Sequence, residues 1–137
     1  MRDDNQRTLM LLLAIYAAAS LVHFIHNAEY LGEYPNLPRT WTAMGVYLAW
    51  AGMTLVGLCG WLLVSRGILF AGLLVLAVYA GLGLDSLGHY VLAPASAHKA
   101  AMNGTILAEV TAAGCVLLEV TRQVASLVAR RMRRNSA

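Results

Sequence analysis

Four apolar runs dominate the chain, and each is long enough to cross a bilayer. They cover residues 8–31, 41–65, 68–92 and 99–128, and a spanning helix needs about 20 apolar residues. With short connections they use nearly all of the 137 residues, which leaves no room for a second large domain. Hydrophobic residues make up 59% of the chain and charged residues 12%, against roughly 45–50% and 25% in a soluble domain. Lipid supplies no partner for backbone polar groups, so each run is expected to close its hydrogen bonds as a helix. The expected fold is an all-α integral membrane four-helix bundle, up-down-up-down, forming one transmembrane domain over residues 1–137.

Charge placement sets the expected orientation. Arg2, Arg7, Arg66, Arg122, Arg130, Arg131, Arg133 and Arg134 fall at one end of such a bundle, and only Arg39 and Lys99 at the other. Excess Lys and Arg stay on the cytoplasmic side. Both termini are therefore expected to be cytoplasmic, in a bacterial inner membrane, with the loops at Pro35–Pro38 and Pro94 outside. The basic tail suits an anionic leaflet. A nucleic-acid footprint needs a basic face on a soluble fold, so no nucleic-acid partner is expected. The first run outlasts the apolar region of a cleaved signal peptide.

Smaller signals add detail. Thr40 is expected to cap the second helix, with Trp41 and Trp61 near its two ends as an aromatic belt. Cys59 and Cys115 lie in apolar runs without a Cys-x-x-Cys pair, which argues against thiol–disulfide exchange. Each is expected to be a small buried residue. Gly52, Gly57, Gly60, Gly81 and Gly83 are placed to let helices approach closely, although glycine is also simply frequent in membrane helices.

The polar residues of the runs gather toward the outer side. His23, His26 and Glu29 end the first run, Asp85 and His89 end the third, and His98 and Asn103 open the fourth. All four histidines therefore fall in the outer half or at its edge. Ionisable groups in a span usually face the bundle interior and mark a functional site. Asp85 and His89, four apart, share one face of a continuous helix, as do His23 and His26, and His26 and Glu29, three apart. His98, Met102 and Glu109 form one stripe if the fourth helix begins by His98. Glu109 then sits about 16 Å deeper than His98, as a floor.

Three chemistries suit this set. Imidazole and carboxylate together bind a transition metal such as Zn, Fe, Mn or Cu, and bundle cores hold such metals on facing helices. His26, Glu29, Asp85, His89, His98 and Glu109 are the candidate ligands. A haem b is the second option, with His23 or His26 facing His89 as axial ligands. The third is a proton or quinone site, since His, Glu, Asp and Tyr near the interface relay protons. Plainer roles stand beside these. His89 and His98 suit an interfacial position with wet polar tips, Glu29 and Glu33 suit loop ends, and Glu119 with Arg122 suits a surface pair. The rival functions are a non-catalytic subunit of a larger membrane complex and a small proton-coupled carrier. Beyond the lipid bilayer, the expected partner is a second copy or such a complex.

His26-Asn27-Ala28-Glu29-Tyr30 resembles the histidine-x-x-glutamate signature of the HXXEE group, small multispanning bacterial membrane proteins. Tyr30 stands where that group has its second glutamate. The resemblance implies a four-helix membrane protein with a metal-like motif, and it implies no activity.

Overall fold

The structure, a computed structural model, describes residues 2–135. Its helices are α1 (Arg2–Glu29), α2 (Ala43–Ser65), α3 (Leu69–Leu84), α4 (Gly88–Leu92) and α5 (Ala100–Asn135), with single 3-10 turns at Leu31–Glu33, Asp85–Leu87 and Ala95–Ala97. The described residues contain no strand. Four stretches, Asp4–Glu29, Ala43–Ser65, Leu69–Leu92 and Ala100–Asn135, are long and apolar enough to cross a membrane.

The boundaries differ from the hydropathy reading for local reasons. The cap of α2 is Thr42 rather than Thr40, because Thr42 Oγ1 accepts the Gly45 N–H at 3.1 Å, a side-chain oxygen satisfying a first-turn donor. The third run is two helices. At Asp85 the chain tightens into a 3-10 turn of about 3.0 residues per turn, then resumes as α4. Across that change of pitch Asp85 and His89 still line one cavity. Asp85 is exposed while His89 is half-buried. α5 begins at Ala100, after His98, and carries its helix on to Asn135, so the arginine cluster is helical.

α1 packs on α2 and α5, and α3 packs on the same two helices. Neighbours run antiparallel: Gly57 lies against Tyr79, Gly60 against Leu76, and Gly72 against Val64. A Cβ on Gly57 or Gly60 would come within 2.8 Å of those side chains, and one on Gly83 would overlap the Tyr16 phenol. Gly52 and Gly81 face open space, so close approach explains only part of the glycine content. Leu9, Tyr16, Leu73, Leu76 and Val116 fill the centre, while Leu48, Leu55, Phe70, Val78 and Leu118 point outward. Apolar residues on every side of a helix hide which side is inner. Cys59 and Cys115 show this, because both are exposed on the outside of the bundle rather than buried.

One end is tied by a carboxylate. Glu119 is buried and accepts from Arg122 Nε and Nη2 and from Gln123 Nε2, each at 2.8 Å. Arg122 and Gln123 also reach Asn5 on α1, at 3.0 and 3.3 Å. The expected Glu119–Arg122 pair thus exists, and it clasps two helices rather than decorating a surface.

Candidate functional site

At the opposite end, polar side chains from α1, α4, α5 and the first loop converge. Glu109 is 0% exposed, the deepest ionisable group of the set. Ser86 Oγ donates to its Oε2 at 2.5 Å, and His23 Nε2 lies 3.7 Å from the same oxygen. The 3-10 turn that interrupts the third run is what carries Ser86 to this position. Below, the rings of Tyr16 and Tyr79 stack tilted at 4.5 Å, and Tyr16 donates to the Tyr79 carbonyl at 3.0 Å. They form an apolar floor between this site and the rest of the core.

His23 is 1% exposed. Its Nδ1 lies 3.3 Å from Thr105 Oγ1, whose hydroxyl also reaches the Met102 carbonyl at 3.0 Å, and its Nε2 faces the Glu109 carboxyl. A carboxyl and an imidazole buried side by side are the group types that general acid–base chemistry uses.

The imidazoles continue outward. His89 meets His23 edge to face with ring centroids 5.5 Å apart, and Asn27 Nδ2 lies 3.4 Å from His89 Nε2. Tyr34 closes the top. Buried at 4%, it bonds His26 Nδ1 at 2.9 Å and packs on His89 and His98 at 4.8 and 6.4 Å. Burial pushes its hydroxyl up to about 12, so it stays a neutral phenol. Hydropathy left Tyr34 as part of a helix-breaking loop. The Leu31–Glu33 turn folds it inward, helped by the Lys99–Glu33 bridge at 2.6 Å and the Asn36 bond to the Leu92 carbonyl at 2.9 Å.

The candidate residues separate into two groups. His23, His89, His98 and Glu109 line or adjoin one polar core, and His26 joins it through Tyr34. Glu29 is exposed and accepts from Tyr47 at 3.4 Å. Asp85 is exposed at the cavity wall. His98 bonds the Pro94 carbonyl through Nδ1 at 3.1 Å, and Asn103 takes the Tyr90 hydroxyl at 2.9 Å. Among the described residues, no three His, Cys, Asp or Glu side chains are grouped to hold a metal ion. His23 and His89 meet edge to face. Ser20, Asn27, Tyr34, Ser86 and Thr105 were not legible as site residues. Small hydroxyls and amides in membrane helices are common and carry no distinctive spacing.

Beside this core lies a cavity of about 730 Å³ between α1, α2 and the third run. His23, Asn27, Ser86 and His89 give it polar points, and Phe24, Trp41, Met53 and Val46 line its apolar wall. Its rim includes Leu48, Leu82, Val91 and Leu92, all exposed. The mouth therefore opens on the apolar flank of the bundle. Asn27 Oδ1 in this wall and His98 Nε2 in the adjoining core are buried and lack a hydrogen-bond partner among the described residues, whereas buried polar atoms ordinarily have one; Ser20 sits against Glu109.

The chain matches no protein-family model, no curated protein and no solved structure at a significant level.

Proposed function

We propose that this is an up-down-up-down protein of a bacterial inner membrane, with both termini cytoplasmic, whose outer half binds a lipid-soluble redox cofactor. A small molecule of the quinone class fits the description: a flat apolar body with hydrogen-bond-accepting head oxygens. The observation that carries this reading is the flank-opening cavity with Asn27, Ser86 and His89 in its wall, backed by the buried Glu109–His23 pair. Ligand pockets of this size are mostly apolar with a few convergent polar groups. In this role Asn27 and His89 orient the head, while Glu109 and His23 hold or release a proton beside it.

A His/carboxylate metal site is the second form of the same reading. It has less support, because no three of the candidate His, Asp and Glu side chains are grouped to hold an ion among the described residues. The test is organic extraction with mass spectrometry, plus elemental analysis, on protein purified in native lipid discs. A stoichiometric lipid-soluble carbonyl compound that is lost in His89→Ala is the expected result. Stoichiometric metal with no such compound would favour the metal form, and neither would end both. The subunit reading rests on one separate feature, an apolar groove between α1 and α5 floored by Gly104, Ala108 and Ala112. Native mass spectrometry in mild detergent tests it by looking for a stoichiometric partner.

A further inference from the structure

A second cavity, of about 640 Å³, lies at the opposite end of the bundle. It sits where α1 begins, α2 turns into α3, and α5 leaves its neighbours. Its composition is divided. Arg130, Arg131 and Arg134 line it together with the neutral polar Asn5, Gln6, Gln123 and Ser126 and the apolar Val64, Leu69, Leu73 and Leu127. No acidic side chain among the described residues lines it. The one buried carboxylate nearby, Glu119, is already held by Arg122 and Gln123. The three lining arginines are exposed and line the cavity with no acidic side chain beside them among the described residues.

We propose that this cavity binds the headgroup of one anionic phospholipid, with the arginines on the phosphate and the first acyl carbons along Leu69 and Leu73. Three features support this. Guanidinium forks match phosphate oxygens bidentately. The cavity lies at the level where α2 ends and α3 begins, which is headgroup depth for these spans, and basic pockets between helices at that depth bind anionic headgroups. The apolar wall gives an acyl chain a surface that a free phosphate would leave unused. The site is separate from the outer cavity and stands whether or not that cavity binds a cofactor.

The test is native mass spectrometry of the full chain in detergent with phosphatidylglycerol or phosphatidylcholine of identical acyl chains. Two triple variants are compared. R130Q/R131Q/R134Q removes the lining charges, and R7Q/R66Q/R133Q removes three charges from the same end at residues outside the cavity wall. One retained phosphatidylglycerol per chain is expected in the wild type. It should weaken on the order of 100-fold in the first variant and about threefold or less in the second. Equal loss in both variants would reduce the effect to diffuse surface charge and overturn the site, as would equal retention of phosphatidylcholine. Inorganic phosphate that binds with the same arginine dependence and displaces the lipid would assign the site to free phosphate and overturn the lipid. If the first variant does not fold, Arg134→Gln alone is expected to weaken retention about fivefold, and no change there overturns the proposal.

Discussion

Glu109 and Glu119 lie on the same helix, both buried, about 15 Å apart along its axis, and their surroundings are opposite. Glu119 accepts three short hydrogen bonds from Arg122 and Gln123 and is neutralised by a cation that itself reaches solvent. Glu109 has two serine hydroxyls against it, Ser86 and Ser20, an imidazole just beyond bonding distance, no cation, and a cavity alongside. A buried carboxylate held by three hydrogen bonds and a cation is a clasp. A buried carboxylate with neutral donors and no cation lacks that compensation, and burying a charge without a partner is costly.

The comparison is sharpened first by Glu109→Gln, which keeps shape and removes the acid. Retention of the outer-site ligand is expected to fall on the order of 30-fold, about 2 kcal/mol, with unfolding in mixed micelles shifted by less than about 1 kcal/mol. A large loss of stability with ligand retained would make Glu109 a second clasp. Gly83→Ala attacks the floor beneath Glu109 by driving a methyl group into Tyr16. A destabilisation of about 1–3 kcal/mol is expected, while Gly81→Ala, which faces open space, should stay within about 0.5 kcal/mol. Glu119→Gln is the mirror of the first variant. It should cost about 1–2 kcal/mol through lost charge-assisted bonds to a half-exposed arginine, and leave ligand retention unchanged.

The smallest effect lies at the lid. Tyr34 binds its proton more tightly in the folded chain, where burial raises its hydroxyl from 10.0 to about 12. The folded state therefore keeps a proton that the unfolded chain releases, and this share of stability is whole below pH 10 and lost as pH rises from 10 to 12. An alkaline unfolding series should show a steeper decline over that interval in the wild type than in Tyr34→Phe, which also loses its bond to His26, about 1 kcal/mol at neutral pH. Identical slopes would place Tyr34 outside the sealed site.

How much of this the sequence carries depends on which physical signal is read. Four helices of spanning length follow from hydropathy alone, and the depth of Glu109 and His23 follows from the cost of an ionisable group in an apolar run. Thr42 replaced Thr40 as the cap because both are followed by helix-compatible residues, and only the Gly45 N–H decides between them. The break at Asp85 is hidden because the apolar run continues across it and Gly83 reads as a packing glycine. It is the break that brings Ser86 to Glu109 while Asp85 stays at the cavity wall. Tyr34 was hidden for a different reason, since a loop between prolines gives no periodicity from which burial can be read.

Trp41 lines the outer cavity, so a quinone seated there would quench indole fluorescence. Titration of a short-chain benzoquinone into the full chain in lipid discs tests the shared outer centre most directly. Saturable quenching is expected in the wild type and in Glu119→Gln, weakened at least about tenfold in His89→Ala and Glu109→Gln. Quenching that never saturates, and is the same in all four proteins, would contradict it.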